Sequence, residues 1–298
     1  MDEYKDTFRI ATTIQKWDNT GNSRTTNNIY TFKDLELIGS LEDLAPGETI
    51  YSARFIGERA YLVTFKKIDP FFVIDLSNPR DPKVLGKLKI PGYSDYLHPY
   101  DKDHIIGIGK EAADAKQCDF AWYLGMKIAI FDVTDVENPK ELYKVTIGDR
   151  GTDSEVLRNH KAFLFDREKE LLVIPVLLAE ISGETKQYPT SEWPEFGEYT
   201  FQGAYVYKVS LDNGFKLLGR ITHYDDNTTF DKLGYYYYDD DFSVKRSLYI
   251  NNNLYTISNR KILINELFDL DLVKEIEISE GSKNKPIEIE TIVRDTSL

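Results

Sequence analysis

The chain is short of several residue types, and each shortage excludes something. One cysteine, Cys118, stands among 298 residues, so no internal disulfide is available and the fold rests on its core. No apolar run approaches the roughly 18–20 residues a bilayer-spanning helix needs. The opening residues MDEYKDTFRI contain neither the basic nor the apolar segment of a secretory leader. Basic residues are in deficit: 37 Lys and Arg against 50 Asp and Glu leave a formal charge of −13. A surface of that sign repels phosphate backbones, so nucleic acid is not an expected partner, whereas cations, basic proteins and neutral glycans are compatible. The four histidines, His98, His104, His160 and His223, are scattered. No pair of His, Cys or carboxylates has a recognised metal-ligand spacing, so no metal site or other cofactor is expected. There is no G-x-S-x-G elbow, phosphate-binding glycine loop, dinucleotide fingerprint or helical periodicity beyond two turns.

Aromatic residues, by contrast, are plentiful: 20 Tyr, 16 Phe and 3 Trp. Aromatic and β-branched side chains suit half-buried pleated surfaces and point to strands. An internal repeat organises them. Residues 51–90 divide into four strands, Tyr51–Ile56, Ala60–Phe65, Phe71–Leu76 and Val84–Ile90. A tight turn separates the first two, and the proline-containing Ser77–Pro82 separates the last two. The pattern returns as SDYLHPY, HIIGIG and MKIAIFDVTDVENPKELYKVTI. It recurs as HKAFLFD, LLVIPVLL and GAYVYKVSLDNGFKLLGRI, and again as VKRSLYI, LYTIS, KILINEL and LVKEIEI.

Strands of five to eight residues repeated in fours describe an all-β fold, a β-propeller of four-stranded antiparallel blades. The expected blades are residues 1–44, 50–90, 93–148, 153–222 and 242–279, with 280–298 as a tail. The first unit offers only FRIATT, NNIYTFK and LELIGSL, so its innermost strand is expected to be missing. The chain would then be a short five-bladed propeller closed by the alternating PIEIETIV at Pro286–Val293, or part of a larger seven- or eight-bladed one. Three long insertions, roughly 110–125, 179–202 and 222–242, join second to third strands or blade to blade, which places them on one rim. Long loops on a rigid scaffold are the usual carriers of function. Lys110–Gln117 reads as a short helix or a solvated loop turn.

The runs RFIGERAYLVTFKKIDPFFVIDLSNPRDPKVLGKLKIPGYSDYLHPYDKDHIIGIGK and RNHKAFLFDREKELLVIPV resemble a family of secreted archaeal and bacterial proteins with a C-terminal β-propeller domain. That family is distantly related to WD-repeat propellers. FFVIDLSNPRDPKVLG and IAIFDVTDVENPKEL are also similar to the LVIVD-type repeat. The resemblance covers about residues 2–279 and implies a propeller at an extracellular or cell-surface location. It names no biochemical activity.

Innermost strands line a propeller's channel. Counting back from each inner turn places Ser52, Ser94, Asp95, His160 and Lys245 at similar heights, with Arg54, His98 and Arg246 on or beside the same strands. Asp153, Glu155 and Arg158 precede the third inner strand. These residues make a polar ring at the channel mouth, and propeller channels are commonly polar without catalysis. Asp95, Asp153 and Glu155 also allow a carboxylate set of the kind glycosidases use. Asp225-Asp226-Asn227 and Asp239-Asp240-Asp241 supply oxygen atoms for Ca2+ but lack the EF-hand spacing. The rim aromatics are Phe120, Trp122, Tyr123, Tyr188, Trp193, Phe196, Tyr199 and Tyr235–Tyr238, Tyr236 among them. The leading expectation is a non-enzymatic scaffold binding a protein or glycan through that rim. The alternatives are a polysaccharide hydrolase at the channel mouth and an axial metal site, Ca2+ or a transition metal.

Overall fold

The computed structural model describes residues 1–17, 21, 23–65, 69–114, 121–182, 195–233 and 240–278. Among the described residues, twenty strands form five four-stranded sheets, each an antiparallel meander in chain order. The first contains β1 (Asp2–Tyr4), β2 (Thr7–Trp17), β3 (Ser23–Lys33) and β4 (Glu36–Leu44). The second contains β5 (Thr49–Ile56), β6 (Arg59–Phe65), β7 (Asp69–Asp75) and β8 (Lys83–Ile90). The third contains β9 (Tyr93–Pro99), β10 (His104–Asp114), β11 (Ala121–Asp132) and β12 (Lys140–Ile147). The fourth contains β13 (Leu164–Asp166), β14 (Leu171–Glu180), β15 (Glu198–Ser210) and β16 (Gly214–Ile221). The fifth contains β17 (Arg246–Ile250), β18 (Asn253–Ile257), β19 (Lys261–Glu266) and β20 (Leu272–Glu277). A six-residue helix, α1 (Thr228–Leu233), lies in the connection before the fifth sheet.

The middle strands read as almost continuous apolar runs because both of their faces are covered. Successive side chains point to opposite faces. Ile105 and Phe131 therefore join the core between the second and third sheets, while their neighbours Ile106 and Ile130 join the core between the third and fourth. Leu172 and Ile174 likewise face the third sheet, and Leu171 and Val173 face the fifth. A fourth cluster, including Ile29, Leu62 and Ile74, joins the first sheet to the second. Among the described residues, no such cluster joins the fifth sheet to the first. Their outward faces leave Phe8, Ile14, Leu248, Ile250 and Ile276 exposed.

A second contact repeats from sheet to sheet. The outermost strand of one blade packs on the last turn of the next. Gly39 in β4 lies against the Pro79 carbonyl, and Gly86 in β8 lies against the Val136 carbonyl. Tyr143 in β12 donates to the Leu211 carbonyl at 2.9 Å. Gly219 in β16 meets the Leu270 side chain. The first two of these turns are closed by their own acidic residues: Ser77 N donates to Asp75 Oδ1, and Thr134 N to Asp132 Oδ1.

Three sequence expectations are corrected. The first sheet is complete, because Asp2–Tyr4 forms its innermost strand. Three residues are too few to show alternation; the strand is held instead by Arg9, which makes a two-pronged ion pair with Asp2 and donates to the Gly57 carbonyl of the next sheet. Residues 110–114 continue β10 rather than starting a helix, since their ladder with β11 runs on to the Asp114–Ala121 pair. The expected third inner strand, His160–Asp166, is cut to Leu164–Asp166. Pro175 explains the loss. Its missing N–H lies on the side of β14 where the inner strand would pair, so the ladder stops at Leu164–Val173. The vacated edge is taken by the inter-blade segment: Ser154 Oγ donates to the Pro175 carbonyl, and Asp153 and Leu177 exchange two backbone bonds of 2.8 and 2.9 Å. The freed residues form two 3-10 turns, Glu155–Leu157 and His160–Ala162. The tail at 280–298, with its alternating Pro286–Val293, lies outside the described residues.

Candidate functional site

First strands lie innermost. Ser52 Oγ of β5 donates to the Ser94 carbonyl of β9 at 2.6 Å, tying two of them together. Where this inner layer meets the long connections there is a cleft of about 850 Å³. Its wall brings together the ends of all three insertions. Lys110 comes from β10; Trp122, Tyr123 and Leu124 come from β11; Phe196, Tyr199 and Gln202 come from or before β15; Ser243, Val244 and Lys245 precede β17. Arg150, Gly151, Asp153, Ser154, Glu155 and Arg158 of the inter-blade segment complete it.

That segment is fastened to β14 at several points. Asp149 N donates to the Ala179 carbonyl at 2.8 Å, and Asp149 Oδ2 accepts from Ile181 N at 2.8 Å. Thr152 Oγ1 donates to the Ala179 carbonyl and accepts from Ala179 N, both at 3.0 Å. Ser154 caps the first 3-10 turn by accepting from Val156 N. The charged side chains on the segment therefore stand on a braced backbone. The Arg150 guanidinium carbon lies over Trp122, 4.6 Å from the ring centroid, and over Phe196 at 5.9 Å. Gly151 adopts φ 111°, and an added Cβ would strike the Phe196 ring, so glycine is needed there. Asp153 pairs with Arg158 at 2.8 Å and with Lys110 at 3.5 Å. On the neighbouring side, Tyr51, Phe65, Tyr93 and Tyr123 form a ring cluster, with a 2.7 Å hydroxyl contact between Tyr51 and Tyr123.

Asp95 sits on β9 behind this wall, half-buried. Burial pushes its carboxyl up to about 7; Lys110 and Arg158 pull it down, and Asp153 pushes it further up. It is thus a carboxyl that changes charge near neutrality, next to the Asp153 ion pairs.

The remaining candidates separate from the cleft. His98 is on β9 but lies in an aromatic nest, 4.8 Å from the Phe163 ring and 3.0 Å from the Tyr96 hydroxyl. Burial, with a smaller contribution from Arg54, lowers it to about 4, so it is neutral. Arg54 is half-buried on β5 on that same side. His160, expected at the channel mouth, is exposed in its 3-10 turn and is not on the cleft wall, for the reason Pro175 supplies. Arg246 opens β17 exposed, away from the cleft. Ser52 and Ser94 are buried inner-strand serines behind the site. Trp193, Tyr236, Phe120, Tyr188 and the rest of Tyr235–Tyr238 lie outside the described residues. Of the acidic loops, Asp226 Oδ1 accepts from Thr228 N and Oγ1, and Asp240 Oδ1 accepts from the Tyr224 hydroxyl and Phe242 N. Asp225 pairs with Lys261. His104 pairs with Asp101 at 2.8 Å. Sequence reasoning did not single out Lys110, which it read as opening an insertion, in a short helix or a loop turn, nor Arg150. The latter's only signal was its position in an inter-blade connection.

A family model for the beta propeller domain matches residues 1–270, and the chain belongs to that family. An uncharacterized protein of Methanocaldococcus jannaschii is 38% identical over 280 residues, 93% of this chain and 36% of that protein. An uncharacterized protein of Archaeoglobus fulgidus is 38% identical over 176 residues, 59% of this chain and 25% of that protein. The chain thus spans about a third or less of these curated relatives. Among solved structures, the β-propeller domain of Myceliophteria thermophila Cps50 (Swd1) matches with a TM-score of 0.40 at 10% identity, over 89% of this chain and 73% of that one. The C-terminal WD40 domain of Sif2 matches with a TM-score of 0.40 at 10% identity, over 91% of this chain and 59% of that one. No helix among the described residues is long and apolar enough to cross a membrane.

Proposed function

We propose that the chain is a non-enzymatic, extracytoplasmic propeller scaffold whose cleft binds a ligand, a glycan or a segment of protein. The observation that carries this reading is the convergence of Trp122, Tyr123, Phe196 and Tyr199 with charged side chains on one braced concave wall. Large amphipathic rings supply contact area at small entropic cost, and flanking charges set orientation. The extracellular or cell-surface location and the kinship with secreted and LVIVD-type repeats rest on the resemblance of the repeated motifs. Glycan-array and pull-down binding by the wild-type chain, with Trp122→Ala and Tyr199→Ala as controls, tests the reading. Loss of binding in both variants is expected. Binding that survives both would move the site elsewhere.

One observation favours a second reading, hydrolysis of a polysaccharide. Asp95, held near 7, stands beside Asp153 in its ion pairs, and two carboxyls with separated acidities can divide acid and base roles. Under that reading Asp95→Asn abolishes release of reducing ends while binding persists. Wild-type protein that binds a polysaccharide and releases none would remove it.

A further inference from the structure

In every blade a one-residue bulge interrupts the pairing of the two outer strands. The outer-strand residues that follow the bulge are, in chain order, Gly39, Gly86, Tyr143, Gly219 and Lys274. The first four meet the last turn of the next blade, at Pro79, Val136, Leu211 and Leu270. The fifth, Lys274, stands on β20, which is exposed along its whole length. At the other end of the arc, the first blade's last turn, Asp34–Leu35, carries no outer strand. Leu35 is 98% exposed, although its φ of 66° is one that leucine seldom adopts. Leu270, at φ 62°, shares that backbone and packs against the site of Gly219. The chain thus holds the two halves of one more joint, apart from each other.

The faces behind these halves are built like the covered ones. Tyr249, Leu254 and Leu263 point to the fourth blade, so alternation turns Leu248, Ile250, Tyr255 and Ile262 outward, with Ile276 opposite Ile262. In the first blade Ala11 and Ile29 point to the second, so Phe8, Ile10, Tyr30 and Phe32 point outward, with Leu37 opposite Phe32. Leu248, Ile250, Ile276, Phe8 and Leu37 are exposed. Single exposed apolar side chains are ordinary, but two apolar faces on one chain mark a contact surface.

We propose that a second copy of this chain covers these faces, the fifth blade of one copy packing head to tail on the first blade of the other. Two observations select that occupant. The contact continues the interface that already joins each blade to the next, and this chain carries both of its halves. The charges also match: Lys274 lies at the giving end and Asp34 in the receiving turn. Packed as the other joints are, Lys274 lays its apolar stem on Leu35 and brings its ammonium to Asp34. The two faces differ, so the contact is heterologous, and copies joined in this way close into a ring or propagate. Dilution returns the open five-bladed arc.

The test is sedimentation velocity of the full chain, from dilute solution to roughly 100 µM, with light scattering for mass. A dimer or larger species whose share grows with concentration is expected. Leu248→Glu with Ile250→Glu breaks the fifth face, and Phe8→Glu with Leu37→Glu breaks the first. Each double variant alone is expected to be monomeric, and an equimolar mixture is expected to form a one-to-one dimer through the two intact faces. Lys274→Glu should weaken self-association of the wild type several-fold, and Asp34→Lys in the same chain should restore it. A wild type that stays monomeric throughout overturns the proposal; if removal of residues 280–298 then allows association, the tail is the occupant instead. Self-association by either double variant alone shows contact between like faces and overturns the head-to-tail arrangement, as does a mixture that stays monomeric. Circular dichroism of each variant separates lost association from lost fold.

Discussion

Asp95 and the histidines His98 and His223 contribute to the response to pH with opposite signs. Asp95 is held at about 7 in the folded chain, above its ordinary value of 3.8. The folded state therefore binds more protons than the unfolded state between those limits, and stability falls as pH rises from about 4 through 7. Asp95→Asn should remove that loss: its melting temperature should exceed that of the wild type by a few degrees at pH 8, with the difference shrinking towards pH 4. His98 and His223 are both lowered to about 4, mainly by burial. Each contributes stability that is present above 6.5 and lost as pH falls to 4. His223 is fully buried, with Nδ1 2.9 Å from Ser258 Oγ and Nε2 2.9 Å from Thr256 Oγ1. His223→Phe strands the Thr256 hydroxyl and should cost roughly 1–3 kcal/mol at pH 7. Denaturant melts at pH 7 and pH 5 should show that cost and a shallower acid loss than in the wild type.

At the level of elements, the notable device is the contact between an outer strand and the next blade's last turn. A side chain at Gly86 would place Cβ 2.1 Å from the Val136 carbonyl oxygen, a backbone atom with little freedom to yield. At Gly219 the obstacle is only the Leu270 side chain, at 2.7 Å. Gly86→Ala should therefore destabilise by roughly 2–3 kcal/mol, and Gly219→Ala by clearly less. Equal melting temperatures for the two variants would argue against the turn contact as a rigid joint. β14 shows another local rule at work. One residue without an N–H, Pro175, ends the inner ladder, and the inter-blade segment that replaces it carries Arg150, Asp153 and Glu155 into the cleft. The same proline thus shortens a strand and makes room for the site.

At the scale of the whole molecule, among the described residues, five sheets are joined by four cores, so the three middle sheets are covered on both faces and the terminal two on one. In such an array a unit's stability depends on its neighbours. Native-state hydrogen exchange should find β11 and β14 slowest and the fully exposed β20 fastest, with β2 faster than β6 or β10. Uniform protection across all five sheets would require a covering on the outward faces of the first and fifth.

The repeat was legible in the sequence because it rests on local chemistry. Alternating or continuous apolar strands, and turns such as Ser77–Pro82 and the Asp135–Pro139 stretch, announce themselves within a few residues. Trp122 and Tyr199 read as insertion residues, whereas β11 and β15 carry them. What the sequence could not disclose depended on partners distant along the chain. The strand Asp2–Tyr4 exists through Arg9, itself anchored on Gly57. His160 left the channel mouth because of Pro175, fifteen residues later in the chain. Lys110 and Arg150 became cleft residues only when β10 and the inter-blade segment were brought beside Trp122 and Asp153. Composition determined a many-stranded acidic protein with no disulfide. The cleft that gathers aromatic and charged side chains was decided by the tertiary structure, since folding and not composition fixes which distant side chains meet.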